Sequence, residues 1–161
     1  MSAPPPELAA YHVGIVVRDM QQAQNRYRKL LGIELWAGRQ VKRARPPWRD
    51  DYADTTLNLA FGRAAGITIE LIQVVEGRNQ HREYLEAHGE GVQHIACMKH
   101  SAEDSEALKK HWSERGAEIL MGGRIGETIE FYYVDTGPLI KFVLESGSGH
   151  AIDLKPTYVY P

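Results

Sequence analysis

The apolar positions of this chain fall into short alternating runs separated by polar stretches of helical period. YHVGIVV (11–17), ITIELIQVV (67–75), GVQHIAC (91–97) and KFVLESG (141–147) alternate as strands do. DMQQAQNRYRKLLG (19–32) instead places Ala23, Tyr27, Leu30 and Leu31 on one helical face, and SAEDSEALKKHWSERG (101–116) does the same with Leu108 and Trp112. Asp19 and Ser101 are the predicted N-caps, with Gln22 and Asp104 three residues later, and Gly32 and Gly116 are the predicted helix ends.

The pattern occurs twice. After the first helix come strand candidates at 33–42, 55–62 and 67–75; after the second, at 117–124, 127–134 and 139–146. Each half therefore reads βαβββ, and the class is α+β. The divisions are a tail at 1–9, a first module at 10–75, a linker at 76–90, a second module at 91–146 and a tail at 147–161. The polar linker EGRNQHREYLEAHGE is expected to carry a short helix around Tyr84 and Leu85, whereas the last tail has no clear periodicity.

Composition narrows the function classes. At 161 residues, 43% hydrophobic and 25% charged, the chain is long enough for one compact domain. A formal charge of -2 gives no general attraction to nucleic acid or to an anionic membrane, and no apolar stretch is long enough to span one. MSAPPPELAA has neither a basic start nor an apolar core, so no signal peptide is expected. With the single cysteine, Cys97, this points to the cytoplasm.

Four residues stand out against this background. His12, Glu70, His94 and Glu145 each interrupt an apolar strand-like run, and they alternate histidine and glutamate across the two halves. By strand alternation, His12 shares a side with Gly14 and Val16, and Glu70 with Thr68 and Ile72. His94 lies with Ala96, and Glu145 with Lys141 and Val143, so each faces away from the more apolar, helix-covered side. A buried carboxylate without a partner costs several kcal/mol, about 2–7 for a polar group and more for a charge, and two on adjoining strands repel without a cation between them. Two imidazoles and two carboxylates are the donor set of a divalent metal: zinc, nickel, cobalt or manganese.

These features resemble the vicinal oxygen chelate superfamily, which includes glyoxalases, methylmalonyl-CoA epimerases, extradiol dioxygenases and bleomycin-resistance proteins. The resemblance is carried by HVGIVVRDMQQAQNRYRKLLG, ITIELIQ, EGVQHIAC and YYVDTGPLIKFVLE, over about residues 10–146. It implies a glyoxalase-like fold in which two βαβββ modules form a half-open eight-stranded mixed barrel, with one metal ion per chain held by the four residues, and a homodimer. It further implies a metal-dependent isomerase or lyase of the glyoxalase–epimerase type acting on a small molecule. Such an enzyme transfers a proton next to a carbonyl while the metal chelates an enolate or enediolate. Glu145 is the first choice of catalytic base and Glu70 its symmetric alternative. An Fe(II) dioxygenase and a non-enzymatic binding protein are the other roles known on this fold. The complete quartet favours the first, because ring-cleaving dioxygenases use two histidines and one carboxylate.

The resemblance to the epimerases calls for a further acid on the third strand, and TTLNLAFG offers Thr56, Asn58 and Ala60 on one face with none. Trp36, Trp48, Tyr52, Asn58 and Tyr132 are the candidate substrate-binding residues. The run from Arg39 to Arg49 carries Arg39, Lys42, Arg43, Arg45 and Arg49. It either docks an anionic group or, as the preferred expectation, is a solvated loop.

Overall fold

Each half folds as the pattern predicts, in the order β1 (His12–Val16), α1 (Met20–Leu31), β2 (Trp36–Arg43), β3 (Thr55–Ala64) and β4 (Ile67–Glu76), then α2 (Gln80–His88). The second half is β5 (Gly91–His100), α3 (Ala102–Ser113), β6 (Ile119–Ile125), β7 (Ile129–Val134), α4 (Gly137–Ile140) and β8 (Val143–Ser148), followed by β9 (Tyr158–Tyr160). The computed structural model describes residues 8–46, 49–125, 127, 129–149 and 158–160. It divides into two compact units, one of the described residues within 12–93 with 158–160, the other of those within 8–11 and 94–149. No helix among the described residues is long and apolar enough to cross a membrane.

In the first unit the strand order is β1-β4-β3-β2-β9. β1 and β4 are parallel, and every other pairing is antiparallel. Met20 and Ala23 of α1 pack on Ile15, Val17, Trp36, Ala60, Ile69 and Leu71, which alternation places on one side of the sheet. In the second unit the order is β6-β7-β8-β5, with β5 and β8 parallel. Leu108 and Trp112 of α3 pack on Cys97, Tyr132, Val134 and Leu144. Burying a side chain of that size contributes roughly 1.5–3 kcal/mol, so each helix is held chiefly by this one face.

Local signals set the helix ends. Asp19 accepts from Gln22 N–H at 2.8 Å and Ser101 from Asp104 N–H at 3.0 Å, each satisfying a donor that the helix leaves unpaired. Gly32 closes α1 in the left-handed region at φ 67°. α2 falls where the linker helix was expected, capped by Asn79.

Other expectations are corrected. Leu30 and Leu31 are exposed, because the buried face of α1 runs through Met20, Ala23 and Gln24 and leaves its last turn outside the core. α3, by contrast, closes at Gly116 as expected: the glycine is left-handed at φ 77°, its N–H donates to Ser113 O at 3.1 Å and Ala117 N–H donates to Trp112 O at 3.0 Å. The last strand of the second half begins at Val143, not 139, because Pro138 lacks a ladder donor and starts the short helix α4 instead. Thr136 then ties that turn down, its hydroxyl donating to Phe142 O and accepting from Leu144 N. Within the aperiodic tail, Tyr158–Tyr160 forms β9 against Trp36–Gly38 of β2.

Candidate metal centre

In the first unit, the parallel register of β1 and β4 sets His12 opposite Thr68 and Gly14 opposite Glu70. Glu70 thus lies two residues beyond the partner of His12, on the same face, and its Oε2 is 3.1 Å from His12 Nε2. In the second unit, β5 and β8 set His94 opposite Val143 and Ala96 opposite Glu145. The offset is the same, and so is the 3.1 Å between His94 Nε2 and Glu145 Oε2. A small residue, Gly14 or Ala96, stands across from each carboxylate and leaves it room to turn toward its histidine. All four side chains are nearly sealed from solvent, at 3% and 6% exposure in the first pair and 0% and 7% in the second.

The correspondence extends one strand further. Phe61 on β3 is the cross-strand partner of Glu70, and Tyr133 on β7 is that of Glu145. Phe61 stands at 77° to the His12 ring, with centroids 5.9 Å apart, and Tyr133 stands at 78° to the His94 ring, at 5.2 Å. Neither aromatic residue was singled out from the sequence. The signal that finds them is cross-strand register with a glutamate, which needs the pairing and not only the alternation.

The donor chemistry fits a metal. Each unit offers a buried imidazole nitrogen and a buried carboxylate oxygen, donors that could hold a metal ion. Nitrogen and oxygen donors in this ratio suit zinc, nickel, cobalt or manganese. A cation beside a buried carboxylate offsets the cost of burying its charge.

Most of the expected substrate contacts lie elsewhere. Trp36 is fully buried in the core under α1, edge-on to Tyr27. Tyr132 is buried on the α3 side, its hydroxyl meeting Ser105 and its ring facing Trp112. The adjacent Tyr133, not Tyr132, takes the histidine side, because neighbouring strand residues point oppositely. Asn58 shares the α1 side with Ala60 and Leu71, in a polar ladder that links Gln40, Asn58, Gln73 and the carbonyl of Arg18. Tyr52 is pinned to α2 by a 2.8 Å hydrogen bond from its hydroxyl to Glu83. Burial, with Glu83 beside it, pushes that phenol well above the usual range. Trp48 lies outside the described residues.

The basic run is a loop only in its second part: Arg39, Lys42 and Arg43 lie on β2, whereas Arg45 and Arg49 follow it and pair with acidic neighbours. Arg45 pairs with Asp50 at 2.9 Å and Arg49 with Asp51 at 2.7 Å. The Arg49 hydrogen bond holds the Asp51 carboxyl down to about 2. Arg49 also lies 3.7 Å over the Tyr52 ring.

Solved structures share the fold. A methylmalonyl-CoA epimerase from Mycobacterium tuberculosis is 18% identical with a TM-score of 0.62, over 94% of this chain and 95% of that one. A hypothetical protein from Bacillus halodurans C-125 is 16% identical at 0.61, over 88% and 94%. A variant of 4-hydroxymandelate synthase from Streptomyces coelicolor is 16% identical at 0.61, over 91% of this chain and 50% of that one. Comparison with curated protein sequences gives no match. The family profile described as Glyoxalase/Bleomycin resistance protein/Dioxygenase superfamily matches residues 11–133, most of the chain, and the protein belongs to that superfamily.

Proposed function

We propose that His12, Glu70, His94 and Glu145 together hold one divalent ion, and that the protein is a metal-dependent isomerase or lyase of the glyoxalase–epimerase type. The observation that carries this reading is one buried histidine–glutamate pair repeated in both halves at the same register and the same 3.1 Å. Finding the combination twice at equivalent positions is what a shared ligand set requires.

A divalent ion bound there would act as a Lewis acid on a substrate carbonyl. Glu145 accepts the proton from the carbon next to that carbonyl at a carboxylate oxygen. The same carboxyl group then returns that proton to the substrate and ends ionised as it began, and Glu70, its counterpart in the other half, is the symmetric alternative for this role. Phe61 and Tyr133 keep water from the two histidine–glutamate pairs, where a dry environment strengthens each charge interaction. The substrate is a small α-oxygenated carbonyl compound or an acyl-CoA. The protein acts as a homodimer, as its family resemblance implies, and its single cysteine suits the cytoplasm.

Elemental analysis tests the reading, with His12→Ala and Glu145→Ala run beside the wild type. The expected result is one ion per chain, lost in both variants, together with substrate-dependent proton exchange in deuterated water. Failure to bind zinc, nickel, cobalt, manganese or anaerobic iron(II) would refute it. The fold shared with 4-hydroxymandelate synthase gives a second reading its standing. Oxygen uptake that requires iron(II), with no proton exchange, would move the assignment to a dioxygenase.

A further inference from the structure

We infer that Phe61 and Tyr133 are positioning residues for the metal, each holding the plane of one histidine so that its Nε2 stays aimed at the ion; this rests on the shared-ion reading above. The torsion that swings an imidazole about its Cβ–Cγ bond has only a broad, two-fold preference, so neighbours decide where the ring points. The contact from Nε2 to a carboxylate oxygen fixes the position of that atom more directly than it fixes the tilt of the ring plane. A second ring standing almost perpendicular beside it, at 77° for Phe61 and 78° for Tyr133, closes off that tilt.

Backbone pairing builds this arrangement the same way in both halves. Each aromatic residue sits directly across from the glutamate whose oxygen meets the histidine, on the strand antiparallel to it. Histidine, glutamate and aromatic ring therefore form one three-strand unit, made once from β1, β4 and β3 and once from β5, β8 and β7. The shared feature of the two units is the ring and not the hydroxyl, since one position carries phenylalanine and the other tyrosine. Phe131, two residues before Tyr133, stands at 76° to it with centroids 6.2 Å apart and backs that ring in turn.

The test uses cobalt(II) as the probe, because its visible absorption reports ligand geometry independently of turnover. Metal-free wild type, Phe61→Leu, Tyr133→Leu and Tyr133→Phe are titrated with cobalt(II), and each is melted without metal. The expected result is binding weakened on the order of tenfold in both leucine variants, the scale of lost second-layer support, with a shifted visible spectrum. Tyr133→Phe is expected to match the wild type. A purely structural role would lower the melting temperature of the leucine variants yet leave the spectrum and affinity of the folded protein unchanged, and that outcome overturns the inference. Equal weakening in Tyr133→Phe and Tyr133→Leu would overturn it too, by moving the effect to the hydroxyl. Should Tyr133→Leu not fold, Phe61→Leu decides. No cobalt uptake by the wild type would sink the shared-ion reading and this inference with it, whereas uptake by the wild type with unaltered variants overturns the positioning role alone.

Discussion

Glu145→Gln separates a ligand from a merely buried side chain because it removes a charge and almost no volume. Glu145 is 5% exposed and 3.1 Å from His94 Nε2, so glutamine fills the same space while replacing an anionic donor with a neutral amide. At a metal concentration one hundred times the dissociation constant, a ligand that binds only the folded state adds about 2.7 kcal/mol. For a chain of 161 residues each kcal/mol moves the melting temperature by roughly 2–4 °C, so the wild type should gain about 5–11 °C. Loss of a charged ligand should weaken binding at least as much as loss of an outer-layer partner, whose upper range is about 100-fold. At the same metal concentration the variant then gains only RT ln 2, about 0.4 kcal/mol, or roughly 1–2 °C. The assay is thermal unfolding with and without the metal that elemental analysis identifies. Glu130→Gln is the control, since Glu130 of β7 pairs with Lys109 of α3 at 2.7 Å and should keep the full metal shift. Equal metal-induced shifts in wild type and Glu145→Gln would refute the assignment of Glu145 as a ligand.

Gly62→Ala should destabilise the protein by roughly 1–3 kcal/mol through overpacking, because a Cβ there would lie 2.7 Å from Ile33 Cγ2 and 2.9 Å from the Trp36 ring. An unchanged urea midpoint would show that this core yields more readily than its packing indicates. Tyr52 has its phenol raised by burial first and by the Glu83 hydrogen bond second. The unfolded chain therefore ionises it first, and the stability it contributes is present below about pH 10 and lost above it. Tyr52→Phe should flatten that part of the alkaline stability profile, and a profile that overlays the wild type contradicts the reasoning. Cys97 is 6% exposed, and burial, then the charge of Glu145, pushes its thiol up. It should react with a thiol reagent slowly in the native protein and quickly in urea, and fast native labelling at neutral pH would count against its burial.

The legible features were those whose causes are local. Asp19 and Ser101 cap their helices because a short side-chain oxygen needs only its own next turn. The sides taken by His12, Glu70, His94 and Glu145 followed from a two-residue period, which holds along any regular strand. Register was not legible. Tyr132 and Tyr133 are adjacent and chemically alike, and the pairing of Tyr133 with Glu145 settles which one meets the histidine. Trp36 and Asn58 were expected to contact substrate, yet the β2–β3 and β3–β4 pairings turn both to the α1 side. β9 escaped detection because three residues carry too little pattern, and what orders them is the hydrogen-bonding edge of β2.

By itself, then, the sequence determined the two βαβββ halves, the side on which each helix packs, and the four residues that break the apolar pattern. Periodicity and capping act over a few residues, so they are written where they act. Only the tertiary structure decided the matched histidine–glutamate offset, the 3.1 Å contact in each half and the aromatic ring beside each imidazole. Those depend on which strands pair and in which register, and that is chosen by the packing of residues far apart in the chain.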